Sequence, residues 1–194
     1  MQCQKGEIMA KVLNYGMVGG GPDAFIGDAH RRAISLDESA RLVAGVFSRN
    51  AEKSKKMGEV LHIEEERCYK DYETMALEEA KREDGIDFVV VVTPNASHYE
   101  ICKAFLNAGI HVVCDKPVTT TYEKAVELQK LAEEKSLLFM VTYTYMGHVT
   151  AKYARDLIAS GAIGDVRAVM AEYPQGWLAV EDNVGGKQGE WRCD

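Results

Sequence analysis

The 194-residue chain is 46% hydrophobic and 27% charged, a globular balance that excludes a disordered, collagen-like or coiled-coil protein. Its 23 lysines and arginines against 30 aspartates and glutamates leave a net charge of −7, so no global field draws it to nucleic acid or anionic lipid, and neither partner is expected. No apolar run approaches the roughly 18 residues of a membrane span, and the opening Met-Gln-Cys-Gln-Lys-Gly-Glu has no signal-peptide stretch, so a cytoplasmic protein is expected. Five cysteines without any Cys-x-x-Cys pair read as reduced thiols and predict no metal site.

Lys11 to Val18 reads as a strand that runs into Gly19-Gly20-Gly21-Pro22. Phe25 to Ile34 follows as a helix, with Phe25, Ile26, Ala29 and Ala33 at helical spacing, and Leu42 to Phe47 returns as a strand. Ala51 to Gly58 predicts a short helix and Tyr72 to Asp84 a longer one, with Met75, Leu77 and Ala80 facing inward. In Ile86 to Thr93 the apolar residues Phe88 to Val92 show no alternation, as a strand covered on both faces of a parallel sheet requires, so this is the expected sheet centre. Ser97 and Glu100 fit a capping box opening a helix that Gly109 stops. His111 to Cys114 is the next strand, and Thr120 to Glu123 repeats the capping-box pattern before a helix with Ala125, Leu128, Leu131 and Ala132 on one face. Leu137 to Thr142 adds a further strand. Strands alternating with helices over residues 10 to 143 predict an α/β fold, a doubly wound and mostly parallel sheet.

Beyond Tyr145-Met146-Gly147 the pattern changes to a helix from about Val149 to Ser160, a turn at Gly161 to Gly164, and a strand from Asp165 to Tyr173. Trp177, Leu178 and Trp191 are apolar bulk that so few elements would struggle to bury. Residues 1–146 are therefore expected to form a nucleotide-binding domain and residues 147–194 the cut-short opening of a second. A lone strand over 165–173 would expose an edge and an apolar face, which predicts pairing with another chain.

Gly19, Gly21 and Gly27, between a strand and a helix, resemble a dinucleotide fingerprint, in which a tight turn and a helix N-terminus offer backbone N–H groups to a pyrophosphate. The spacing departs from that pattern, because five residues rather than two separate Gly21 from Gly27, and three glycines in a row also suit a flexible turn. Asp23 and Asp28 would repel the pyrophosphate. After the second strand, where NAD sites usually carry an acid, stand Ser48 and Arg49. Arg49 could cover an adenine or pair with a 2′-phosphate, and Ser48 could bond a ribose or a phosphate, so the cofactor is read as NAD(P) with a lean to NADP; a solvated arginine is the other reading. Thr93, Pro94 and Asn95 lie at the carboxyl end of the central strand, where open α/β sheets bind ligands. Asn95 suits a ribose or phosphate, Ser97 a cap, and His98 either a structural or a cofactor-binding role. Asp115 and Lys116 end the next strand at the same edge. A lysine there would project beside a nicotinamide, with a pKa lowered by desolvation and the positive ring, and could polarise a substrate hydroxyl. Pro117 directs it by holding Lys116 extended or by a cis bond.

Taken in order, the glycine turn with Gly27-Asp28-Ala29-His30, then Thr93-Pro94-Asn95 with His98, then Ala108 to Val112 running into Asp115-Lys116-Pro117, resemble the glucose-fructose oxidoreductase and inositol dehydrogenase (Gfo/Idh/MocA) family. The likeness continues through Gly161-Ala162-Ile163-Gly164-Asp165-Val166 to Trp191-Arg192-Cys193-Asp194. This resemblance implies a Rossmann domain followed by an α+β domain whose open sheet binds substrate and forms a homo-oligomer. It implies reversible hydride transfer between NAD(P) and a secondary alcohol of a sugar, cyclitol or related polyol. Lys116 matches the family's catalytic lysine and also borders the cofactor, with Asp115 where the family most often has Glu. The family's Asp and His of an Asp-x-Gly-x-x-His stretch have no counterparts in this chain. A dinucleotide-binding module or sensor without turnover is the alternative expectation.

Overall fold

The computed structural model describes residues 11–22 and 24–176, which fall into two compact units divided between Thr144 and Tyr145. Asp23, Trp177, Leu178 and Trp191 lie outside the described residues.

The first unit is a five-stranded, wholly parallel sheet in the order β2-β1-β3-β4-β5. Its strands are β1 (Leu13–Gly19), β2 (Ala40–Val46), β3 (Phe88–Val92), β4 (His111–Cys114) and β5 (Phe139–Val141). Helices α1 (Phe25–Ile34), α2 (Ala51–Val60), α3 (Tyr72–Glu79), α4 (His98–Asn107) and α5 (Tyr122–Glu134) make the crossovers. This is the doubly wound Rossmann arrangement.

β3 is central, and its side chains explain the missing alternation. Val89 and Val91 enter one core with Phe105, Leu106, Met75 and Leu128, while Val90 and Val92 enter the other with Tyr15, Met17 and Phe47. A strand with helices on both sides has no polar face to reserve. On α5, Leu128 and Ala132 are buried and Leu131 packs against them, as the spacing predicts. Gly109 stops α4 with φ +82, a left-handed conformation that glycine adopts without steric cost.

Four local expectations are corrected. Helix α3 ends at Glu79 rather than Asp84, and its inward residues are Met75, Ala76 and Glu79, leaving Leu77 and Ala80 exposed. The cause is an ion pair: buried Glu79 takes hydrogen bonds from Arg67 Nε at 3.0 Å, Tyr69 Oη at 2.8 Å and the Ile86 amide at 3.2 Å, which turns this carboxylate rather than Leu77 toward the core. On α1 the inner surface is Gly27 with the half-buried Ile26, His30, Arg31 and Ile34, whereas Phe25, Ala29 and Ala33 face out. Ser97 does not cap α4; a 3₁₀ turn, Asn95–Ser97, precedes the helix and holds Ser97 at φ −96, ψ −9, outside the extended conformation a cap requires. Thr121, not Thr120, caps α5, accepting the Lys124 amide at 3.5 Å.

In the second unit, α6 (Val149–Ala159) precedes a turn closed by the Gly164 amide on the Gly161 carbonyl at 2.9 Å. The strand expected over Asp165 to Tyr173 is absent. An isolated strand leaves every ladder hydrogen bond unmade, and no described segment pairs with this one, so its apolar residues Val169, Met170 and Tyr173 stay exposed. Tyr173 shares a hydroxyl hydrogen bond and an edge-to-face ring contact with Tyr145. Among the described residues no helix is long and apolar enough to cross a membrane.

Candidate functional site

Because all five strands are parallel, their carboxyl ends share one edge, and the chain runs from β1 outward to β2 and then back past β1 to β3. The winding reverses between β1 and β3, the place where open α/β sheets bind ligands, and the glycine turn lies there. Gly19 and Gly20 take φ +94 and +72, which only glycine adopts without strain. Space is equally tight. A Cβ on Gly19 would stand 2.8 Å from the Val92 carbonyl, one on Gly21 2.5 Å from the Phe47 carbonyl oxygen, and one on Gly27 would overlap the Gly20 Cα. The turn is thus wedged between the ends of β2 and β3 and the first turn of α1.

Helix α1 has ten residues, and its N-cap residue, Ala24, has no side-chain acceptor for the helix's leading amides. Those N–H groups and the positive end of the helix dipole suit an anion resting on backbone stripped of side chains. Asp28 does not oppose this as its position suggests: its carboxylate is engaged by Arg32 at 2.8 Å and Arg31 at 3.9 Å. The donor set therefore fits a dinucleotide's pyrophosphate.

Ser48 lies beside Gly21 and accepts the Asn50 amide at 3.1 Å, while Asn50 caps α2 by accepting the Lys53 amide at 3.0 Å. Arg49 is exposed at the start of that turn. No carboxylate stands at 48–50, so nothing in this turn repels a ribose 2′-phosphate.

At the end of β3, Thr93 is half-buried and linked through its hydroxyl to Ser97 Oγ at 2.8 Å; Pro94 is exposed and Asn95 half-buried at the rim. At the end of β4, the Asp115 amide bonds the Val91 carbonyl at 2.9 Å, which ties this loop to β3, and Lys116 stands exposed before a cis bond to Pro117. The sequence-predicted residues of both loops are therefore brought to one edge. His98 is the exception in kind. Its ring is fully buried, with Nδ1 2.8 Å from the Pro117 carbonyl oxygen and Nε2 2.8 Å from that of Thr93, which leaves neither nitrogen free to meet a cofactor. Burial opposes a charge on this ring, yet the neighbouring Cys114 and the hydrogen bonds to the two carbonyls together push its pKa up to about 9.

Two residues at this edge are not singled out by the sequence. Arg31 reaches from α1 back to the Gly20 carbonyl, 3.0 Å from Nη1, and bridges turn to helix. Its signal is its place one helical turn after Gly27. Thr142, just past β5, donates to Asp115 Oδ1 at 3.2 Å and orients that carboxylate. Only its strand-end position at the same edge could have marked it. His30, on the inner face of α1, has its pKa lowered by burial, with Asp115 partly offsetting the shift.

The sequence model of a family described as an oxidoreductase family with an NAD-binding Rossmann fold matches residues 13–143. An uncharacterized oxidoreductase, YfiI, of Bacillus subtilis (strain 168) is 43% identical over 190 residues, which cover 96% of this chain and 48% of that protein. The scyllo-inositol 2-dehydrogenase (NADP(+)) IolW of the same strain is 33% identical over 113 residues, 58% of this chain and 32% of that protein. The crystal structure of an inositol dehydrogenase homolog from Azotobacter vinelandii, complexed with NADH and myo-inositol, superposes with a TM-score of 0.86 at 39% identity, covering 94% of this chain and 47% of that one. The chain thus spans about half the length, or less, of these relatives.

Proposed function

This chain belongs to the Gfo/Idh/MocA oxidoreductase family, and from that premise we propose that it supplies the NAD(P)-binding half of a dehydrogenase that oxidises a secondary alcohol of a sugar, cyclitol or related polyol. The observation that carries this reading is the glycine turn, where three missing side chains and an uncapped ten-residue helix leave a cradle of backbone amides at the sheet's switch point. A bound nicotinamide would supply the hydride acceptor for the alcohol carbon, and the hydride donor in the reverse direction.

The chain's own residues then divide the remaining work. Gly19, Gly21 and Gly27 admit the pyrophosphate; Ser48 and Arg49 meet the adenosine end; Thr93, Pro94 and Asn95 border the nicotinamide half beside Asp115. Lys116 is the proposed catalytic residue. Loss of hydride from an alcohol carbon leaves the hydroxyl proton to be removed, and an amine at this edge can take it, while the ammonium form can return it and polarise a carbonyl in the reverse direction. Residues 147–194 are proposed to begin a second domain that supplies the rest of the substrate pocket, and the complete protein to be a cytoplasmic homo-oligomer joined through that domain's sheet. The exposed Arg49 and the lack of an acid at 48–50 favour NADP over NAD. The scyllo-inositol in one relative's name and the myo-inositol bound in another's crystal structure make cyclitols the first class to assay.

Fluorescence titration of this chain with NADH and NADPH tests the binding half of the proposal. A polyol panel run on the complete protein and its Lys116→Ala variant tests the chemistry. Turnover that survives Lys116→Ala would remove the lysine from the mechanism, and tight cofactor binding with no turnover on any polyol would favour a binding module without catalysis.

A further inference from the structure

His98 is as buried as any residue of the core, yet its ring is not packed as an apolar filler. Both ring nitrogens stand 2.8 Å from backbone carbonyl oxygens, one in each of the two loops that end β3 and β4. A carbonyl oxygen has no proton to give, so each of these contacts is a hydrogen bond only if the ring nitrogen donates. A neutral imidazole carries one N–H. It would satisfy one carbonyl and set its other lone pair against the second in a site closed to water. The doubly protonated ring satisfies both with charge-assisted bonds, which are shorter and stronger than neutral ones.

We propose that His98 is a positioning residue for the dinucleotide site, a doubly protonated brace that locks the Thr93–Asn95 loop to the Lys116–Pro117 loop. The inference rests on the function proposed above and adds a role for a residue that touches neither cofactor nor substrate. The brace is placed to matter, since one acceptor is the carbonyl of the residue directly before Pro94-Asn95 and the other belongs to the residue directly after Lys116. The Asp115 amide on the Val91 carbonyl anchors the second loop to β3 at 2.9 Å, and the Ser97 hydroxyl, 2.8 Å from that of Thr93, stiffens the first. The side chain facing the ring from β4 is Cys114. Its Sγ donates to the Asp115 carbonyl at 3.2 Å, so both ring nitrogens are left to the two loop carbonyls. Removing the ring frees the peptide next to Lys116 and lets the lysine drift from the reacting atoms, a displacement of the kind that costs about a hundredfold in rate.

The first test needs no activity. In ¹⁵N–¹H correlation spectra of the labelled wild-type chain at pH 7.5, assigned by comparison with His98→Asn, both ring nitrogens of His98 carry protons. A single neutral tautomer at that pH overturns the proposal, whether or not the chain binds NADH. The second test uses the complete protein, where His98→Asn lowers kcat by about a hundredfold while KM for the polyol stays near the wild-type value. An unchanged kcat in folded His98→Asn protein also overturns it. If instead the wild-type chain fails to bind NADH or NADPH, the functional proposal falls, and the ring spectrum alone decides whether the brace exists.

Discussion

Gly27→Ala separates the cofactor cradle from the fold that carries it. The new methyl would overlap the Cα of Gly20, a backbone atom in a turn with φ +72 whose carbonyl is held by Arg31 Nη1 at 3.0 Å, so no side chain can swing aside to make room. Turn and helix must part, and the leading amides of α1 lose their aim at the phosphates. Misaligning one hydrogen bond to a charged group costs about 1.5–3 kcal/mol, which is an affinity for NADH weaker by about 10- to 150-fold. Gly109→Ala is the control. Its Cβ meets nothing within 4 Å, yet its φ is +82, so it bears only the left-handed backbone cost. That cost is about 1–2 kcal/mol, or a melting point lower by roughly 2–8 °C for a chain of this size, with the same Kd as wild type. Fluorescence titrations paired with thermal melts on both variants make the comparison. NADH binding by Gly27→Ala as tight as wild type, or equal loss of affinity in the two variants, would refute the assignment of the cradle.

Three other outcomes follow from single contacts. Glu79→Leu leaves the buried Arg67 guanidinium only its longer contacts with Asp84, at 3.3 and 3.4 Å, and removes the acceptor of Tyr69 and Ile86, so urea unfolding should show a loss of about 3–5 kcal/mol; a loss below about 1 kcal/mol would mean that the pair is not desolvated. Asp71 caps α3 by accepting the Thr74 amide at 2.7 Å, and that hydrogen bond holds its carboxyl below the ordinary carboxylate range. A depressed folded pKa means that the stabilisation is full above the unfolded value of about 3.9 and is lost as pH falls through the folded one, so Asp71→Asn, which can still cap, should flatten the acid limb of a melting-point profile; an unaltered limb would count against the assignment. Arg49→Ala should weaken NADPH binding in fluorescence titrations while leaving NADH binding nearly unchanged, and equal losses for both would show that Arg49 does not read the 2′-phosphate.

The layered fold is legible in the sequence because it follows from periodicity. Phe88 to Val92 cannot be a half-exposed strand, since consecutive residues point to opposite faces, and the structure puts Val89 with one core and Val90 with the other. Leu128, Leu131 and Ala132 mark the inner face of α5 for the same reason. Periodicity misleads where a polar contact sets the orientation. On α3 the apolar Leu77 is turned out because Glu79 is turned in, toward an Arg67 that precedes it by twelve residues, and an apolar count has no means of seeing such a partner. Strand propensity failed over 165–173 because a strand is a property of two segments, and no described neighbour completes this one.

The site itself was readable only as far as chemistry is local. Gly19, Gly21 and Gly27 announce a turn without side chains, and Asp115-Lys116-Pro117 announces a directed lysine at a strand end. What holds these pieces relative to one another is not local. Ser97 and Glu100 have capping-box spacing, but spacing counts residues while a cap demands extended backbone, and the 3₁₀ turn at 95–97 denies Ser97 that conformation. Its hydroxyl goes instead to the Pro94 carbonyl at 2.7 Å and to Thr93 at 2.8 Å, stiffening the loop from within. His98 can then sit beneath both loops, because the 3₁₀ turn delays the helix and places the ring at its first residue, between the Thr93 and Pro117 carbonyls. Lengthening that turn by one residue would carry the ring to a different face of α4 and break both of its hydrogen bonds while leaving every glycine and Lys116 in place. An insertion after Ala96 is thus a perturbation in which loop restraint, and not the composition of the site, sets the change in cofactor binding.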